Sequence, residues 1–407
     1  MAEHSRSQPA RLLVLGAGAA QLGLLEAAAS SNLSVIAVDR NPLAPGFAFA
    51  DERALISSED EAGIERLARA REVDGIVSPG ADWPVGIAAR VAERLGLPHP
   101  ISGATAVLAT TKTRQRERFA AAGVVQPRTF SVADPEITFP CVVKAPDRQG
   151  QKGLVLAQSE EQLAAAFELA LAESRSSVVL VEELVPGREI TVNAFSVDGH
   201  FTPLTVTDRL VAEPPAFGVA LAHVWPSSLA PEQIGAAVDA ARGAAEAIGV
   251  RQGPTYTQVV VGERGAHVVE LAARLGGGHD AELCAAVLGV DPNELALSAA
   301  LGEAVDESRL VPETRTGGGI VRFLEPEPGE LTEVLGVGDA EALEGVEWVR
   351  IYPEPGTVLG PLRRGSDRVG AVLATGASRE QAVERAGRAA DCVRFVVSNA
   401  PAEALLS

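Results

Sequence analysis

The stretch Glu270-Leu-Ala-Ala-Arg274-Leu-Gly-Gly-Gly-His279 places a carboxylate, a guanidinium and three consecutive glycines within ten residues. It closes a segment whose alternation predicts a hairpin, Tyr256–Val261 followed by His267–Leu271, turning through Gly262–Gly265 about Arg264. A uniform register sets Gln258 opposite Glu270 on one face, with β-carbons about 4.5–5.5 Å apart. Val259, Val261, Val269 and Leu271 then form the opposite, core face. Two opposed oxygen donors can share a hard cation such as Mg²⁺. A surface cross-strand pair has the same spacing, so the residue types alone leave both readings open. Arg274 and the amides of the glycine run suit a developing oxyanion.

Upstream, Phe139-Pro-Cys-Val-Val-Lys144 predicts an apolar strand running into the loop Ala145-Pro-Asp-Arg-Gln-Gly-Gln-Lys-Gly153. Glycines let backbone N–H groups approach an anion and lysine adds a point charge, although a lysine at a strand end also discourages edge pairing. No Gly-x-x-x-x-Gly-Lys-Ser/Thr occurs, which excludes an ordinary P-loop. Glu182, Glu183 and Glu189 surround Leu184-Val-Pro-Gly187 after a β-prone run, a spacing compatible with an adenosine pocket and equally with exposed turn residues. Lys112 falls in an Arg-rich helix expected from Ala104 to Ala122, where it reads by itself as part of a solvated face.

Further out, the first hundred residues alternate strand and helix, which predicts a parallel doubly wound sheet. Gly16-Ala-Gly18 and Asp39 partly match a dinucleotide fingerprint, but Gln21 stands at its third position. Leu12–Leu25 imitates a signal peptide, yet it is too short to span a bilayer and divides into strand, glycine turn and helix. After about Pro312 the chain is again strand-rich.

The chain has 407 residues, 46% of them apolar, enough for several packed cores. A net charge of −19 opposes nucleic-acid binding. Three distant cysteines form no disulfide framework and fit a reducing cytoplasm. His4, His99, His200 and His267 lack partners at ligand spacing.

Taken in order, these motifs resemble the ATP-grasp superfamily over nearly the whole chain, and most closely its carboxylate–amine ligases, the L-amino acid and dipeptide ligases. The resemblance implies a mixed α/β and α+β fold in three parts. These are a Rossmann-like domain without dinucleotide (1–102), an ATP-grasp domain (103–311) with a mobile lid at about 126–185, and a β-rich closing domain (312–407). It implies ATP contacts at Lys112, Lys144, Gly150, Lys152 and Gly153. The hinge would add Glu182 for the adenine amine, Glu183 and Val185 for backbone contacts, and Glu189 for the ribose. Gln258 and Glu270 would hold Mg²⁺, expected as two ions for which Mn²⁺ can substitute. Arg274, Gly277 and Gly278 would be catalytic, and His223, Arg274, Gly276 and His279 would meet substrate.

The implied reaction joins a small-molecule carboxylate to an amine through an acyl phosphate and releases ADP and phosphate. It would run in the cytoplasm, without nucleic acid or membrane, in a monomer or homodimer. A purine- or biotin-type carboxylase and a non-catalytic ATP-binding scaffold are the alternatives. Three departures from the family pattern stand out: Gln258 replaces a usual Glu, Ala272 a frequent Asn, and Ala220 the Glu that in many dipeptide ligases meets the amine.

Overall fold

The computed structural model describes residues 9–131, 134 and 136–398. His4 and the outermost residues of the first and last expected domains lie outside them. Four parallel strands form the first sheet, in the order Glu52–Ala54, Leu33–Val38, Ala10–Leu15 and Gly75–Val77. Their alternate residues feed two cores: Leu12 and Val14 pack with Leu24, Leu25 and Leu297, whereas Leu13 and Leu15 pack with Ile64 and Ile87. Burial on both faces is what a parallel sheet between helices requires.

The glycine turn after Leu15 is filled by protein. Gln21 accepts from the Gly18 N–H at 3.0 Å and donates to Pro79 O at 2.8 Å. Asp39 is likewise engaged, accepting from the Ala17 N–H at 3.0 Å and the Asn41 N–H at 2.9 Å. The carboxylate that would bind a ribose in a dinucleotide domain therefore braces the turn instead.

The helix expected from Ala104 to Ala122 is two helices, Gly103–Thr110 and Lys112–Ala122, separated by Thr111 at φ −124°, ψ 106°. Thr110 turns its hydroxyl back onto Ala106 O at 2.8 Å, and the extended Thr111 starts the second helix in a new direction. Lys112 thus opens a helix instead of lying along an exposed face.

A small antiparallel sheet follows, ordered Thr129–Phe130, Leu180–Glu183, Cys141–Lys144, Leu154–Ala157, with the helix Glu160–Glu173 packed on it. Phe130, Cys141, Val143, Leu163 and Ala166 form its separate core. The main sheet has eight antiparallel strands. Its order is Gly265–Ala272, Gly253–Gly262, Arg188–Val197, His200–Val211, Ala220–Trp225, Gly318–Leu324, Gly370–Gly376 and Val346–Ile351. It runs unbroken across residue 312. Asp198 and Gly199 turn between two of its strands with φ of 51° and 88°, the paired left-handed conformation favoured in tight hairpins. No single described helix is long and apolar enough to cross a membrane.

Candidate functional site

Gln258 and Glu270 are cross-strand partners, but the register reaching them is not uniform. The hairpin turns through Glu263 and Arg264 alone, pairing Gly262 with Gly265 and Val259 with Val268. Continued unchanged, this would set Gln258 opposite Val269. A bulge at Val269 absorbs one residue and brings Glu270 into place. Val268, not Val269, therefore enters the core, and the carbonyl of Val269 accepts from Arg116 Nη2 at 2.6 Å.

Glu270 is met by Lys112, whose Nζ lies 2.9 Å from Oε2 and also donates to Arg148 O at 2.9 Å. Burial alone would raise the Glu270 pKa, but Lys112, Lys144 and Arg274 hold it well below the usual carboxylate range. Gln258 makes no side-chain hydrogen bond to protein among the described residues, and both side chains line a cavity of about 700 Å³. The same cavity receives Arg274, Gly277, Gly278 and His223, together with Gly150 and Lys152 from the glycine loop.

The glycine run is required by close approach. A Cβ on Gly276 would lie 2.4 Å from Asp280 Oδ2, on Gly277 3.0 Å from Gly80 O, and on Gly278 2.6 Å from His223 Nε2. Arg274 is fixed by Asp82, with Nε 2.6 Å from Oδ1. His223 lies beneath, its Nδ1 3.4 Å from Asp280 Oδ1. Burial pushes its pKa down to about 4, opposed by Asp280 and reinforced by Arg209 and Arg368. It is neutral at pH 7.

Two expected placements differ. His279 turns away from the cavity. It takes a left-handed φ of 60°, is 4% exposed, and its ring nitrogens meet Glu282 at 2.8 Å and the Tyr352 hydroxyl at 2.7 Å. It ties the glycine run to the C-terminal segment and has no edge left for substrate. Glu182 is also consumed, with Oε1 2.6 Å from Arg116 Nε and Oε2 2.5 Å from Lys144 Nζ. Its carboxylate orients two cations, which leaves its backbone as the available contact.

Lys144 is pushed down to about 8 by burial, only partly offset by Glu182, with Arg116 and Lys112 adding repulsion. Glu183 binds Arg264 at 3.0 Å, Glu189 binds Arg209 at 2.6 Å, and Val185 is buried. These hinge residues, with Lys144, Gly153 and Gly276, stand off the 700 Å³ cavity. Tyr256, Arg209, Tyr352 and Arg368 do line it, although none is marked by spacing to Glu270. Arg368 lies within the expected closing domain, 312–407, the one signal that could have pointed to it.

No group of three or more His, Cys, Asp or Glu at metal-holding distance occurs among the described residues. The donor set still fits a magnesium ion accompanied by a nucleotide: one ionised carboxylate, one unpartnered amide oxygen facing the same cavity, and room for phosphate oxygens.

Fold and site together define a nucleotide-dependent ligase, and comparison with known proteins agrees. Residues 137–282 match the family model described as ATP-grasp domain, and residues 322–398 that described as L-amino acid ligase C-terminal domain 2. The chain is 30% identical over 410 residues to the formate-dependent phosphoribosylglycinamide formyltransferase of Burkholderia vietnamiensis, covering 95% of this chain and 96% of the relative. The fold is shared with the L-amino acid ligase from Bacillus licheniformis, at TM-score 0.82 and 19% identity, over 97% of this chain and 100% of that one. Phosphoribosylglycinamide synthetase from Anaerococcus prevotii aligns at TM-score 0.78 and 19% identity, over 96% and 100%. The chain belongs to the ATP-grasp superfamily, close to its carboxylate–amine ligases. Its chemistry is ATP-dependent carbon–nitrogen ligation through an acyl phosphate, with release of ADP.

Proposed function

We propose that the 700 Å³ cavity is where a carboxylate is phosphorylated and then attacked by an amine. The observation that carries this is the convergence on one cavity of Gln258, Glu270, Arg274, the Gly277–Gly278 amides and the Gly150–Lys152 loop. Lys112, Lys144 and the loop through Gly153 would bind phosphates, while Glu183, Val185 and the backbone of Glu182 would hold the adenine and Glu189 the ribose. Gln258 and Glu270 would hold Mg²⁺, as two ions or with Mn²⁺ in its place; its contribution is neutralisation of phosphate charge. Arg274 and the glycine amides would stabilise the tetrahedral oxyanion. His223, neutral under the glycine run, would face the amine as an acceptor. The divisions 1–102, 103–311 and 312–407, a cytoplasmic location and a homodimer complete the reading.

A phosphate-release screen over a matrix of carboxylic acids and amines tests it. ADP and phosphate are expected in equal amounts, and hydroxylamine should divert the activated carboxylate to a hydroxamate. Production of AMP and pyrophosphate would overturn the reading.

A further inference from the structure

Joining an amine to an acyl phosphate releases one proton from the amine nitrogen, and few groups in the cavity are free to take it. Its carboxylates are engaged: Asp82 with Arg274, Glu270 with Lys112, and Asp367 with the Arg364 N–H at 2.8 Å. His223, pushed down to about 4 by burial, can accept a hydrogen bond but is too weak a base to keep the proton. Tyr352 lines the same cavity. Burial pushes its hydroxyl up, so it stays a neutral phenol. Behind it stands His279, with Nε2 2.7 Å from the Tyr352 oxygen and Nδ1 2.8 Å from Glu282 Oε1.

One end of this chain fixes the direction of the rest. Burial would raise the Glu282 pKa, but His279 and Arg350 hold it down to about 2, so the carboxylate is ionised and can only accept. Nδ1 therefore carries a hydrogen, and in the neutral imidazole Nε2 is left as an acceptor. The Tyr352 O–H points at Nε2, and the phenol oxygen keeps its lone pairs for a donor in the cavity. The surrounding charges are unequal. Glu282 shares Arg350 with Glu26, and Arg350 Nη1 also lies 3.2 Å from His279 Nδ1. Two carboxylates thus face one guanidinium. A proton on His279, 4% exposed, would supply the missing positive charge where attraction is little screened. The nearest charged group on the Tyr352 side is Arg368, and the neighbouring His223 is neutral, so no second imidazolium opposes the first. Trp348, edge-on at 5.1 Å, closes the remaining side of the ring.

We propose that Tyr352, His279 and Glu282 form a proton relay that carries the amine's proton away as the amide bond forms. The amine nitrogen bonds to the acyl carbon, and the carbon–oxygen bond to the phosphate breaks. The proton on nitrogen passes to the Tyr352 oxygen while the Tyr352 proton passes to His279 Nε2, and Glu282 holds the resulting imidazolium. The phenol is restored in the same step and never becomes a phenolate. The extra proton returns to solvent through Tyr352 once the product has left. Tyr352 touches the cavity and is the catalytic residue; His279 and Glu282 act through it. The relay rests on the ligase reading for the meaning of the cavity, but its hydrogen-bond order can be measured without turnover.

The full chain, labelled with nitrogen-15 in its histidines, is read by long-range proton–nitrogen NMR near neutral pH. His279→Asn, which tolerates the left-handed backbone at this position, identifies the His279 signals. Nδ1 is expected to carry the hydrogen and Nε2 to be bare, and Tyr352→Phe should shift the Nε2 resonance while Nδ1 keeps its hydrogen. A hydrogen on Nε2 at rest, or an Nε2 resonance unmoved in Tyr352→Phe, overturns the proposal. Turnover is then measured with the acid and amine that the phosphate-release screen returns, and with hydroxylamine in place of the amine. Hydroxylamine is weakly basic, so its adduct gives up a proton to water unaided. In Tyr352→Phe the rate should fall about a hundredfold with the amine, the scale of a general base, and less than about threefold with hydroxylamine. Equal losses with the two acceptors mark a disturbed cavity wall instead of a relay and overturn it, as does an undiminished rate with the amine. Absence of ADP release with every acid defeats the ligase reading and the relay with it, whereas a wrong His279 tautomer defeats the relay alone.

Discussion

Glu270 and Gln258 set the charge of the proposed metal site, and each can be changed with little change of shape. Glu270→Gln removes the pair's only formal charge and leaves the half-buried Lys112 without its partner. Turnover should fall by about 10²–10³-fold, the scale for losing one stabilising electrostatic group, with circular dichroism retained. Gln258→Glu adds a carboxylate, so the Mg²⁺ concentration for half-maximal rate should fall, because a hard cation rewards ligand charge. Superimposable Mg²⁺ titrations for all three proteins would remove both residues from the site. Lys144 gives a pH signature. With its pKa pushed down to about 8, it loses its charge as pH rises past that value, so ATP affinity should weaken from about pH 8 upward. In Lys144→Arg, which stays charged, the decline should disappear, as measured by nucleotide titration from pH 6.5 to 9.5. Glu270, Gln258 and Arg274 were legible because hairpin alternation brings them together locally. Lys112 was not legible by composition, since its partner lies 158 positions away in sequence; only the order of motifs pointed to it.

At the level of elements, the parallel first sheet followed from the alternation of strand and helix in the first hundred residues. Two departures have one effect. The break at Thr111 and the bulge at Val269 are both single-residue interruptions inside favourable patterns, and each sets a group against distant chain. Lys112 Nζ reaches Glu270, and Arg116 Nη2 reaches the Val269 carbonyl. The loop from Ala145 to Gly153 is held at its tip by polar contacts alone, Gln149 with the Asp82 N–H and Gly365 N–H with Gly150 O at 3.4 Å. Such an element opens at small cost and is steadied by ligand. Limited proteolysis after Arg148 or Lys152 should therefore slow several-fold when ATP and Mg²⁺ are added; identical digestion rates would exclude a phosphate-covering role for this loop.

For the molecule as a whole, the sequence pointed to three regions, but it carried no sign that one sheet runs through the last two. Strand pairing between Ala220–Trp225 and Gly318–Leu324 joins segments nearly a hundred residues apart, and alternation says nothing about which strand becomes whose neighbour. A fragment ending at residue 311 would leave Ala220–Trp225 as a bare edge and strip Phe323, Leu373 and Ala371 from the core around Leu283 and Val287. Residues 103–311 expressed alone should aggregate or melt without cooperativity, whereas the full chain melts with the sheet intact. A soluble, cooperatively melting fragment would count against this continuity as a stabilising feature. The sheet has a kinetic consequence as well. Two walls of the cavity are pinned, one by the sheet itself and one by the contacts of Arg350 with Glu26 and Glu282, which fasten the C-terminal segment to the first helix and to the glycine run. The small sheet bearing Lys144 has its own core, and its unit meets the first domain through Arg175, which pairs with Glu59 and stacks on Trp83. With nucleotide placed at the hinge as proposed, its release would wait on the parting of Arg175 from Glu59 and Trp83.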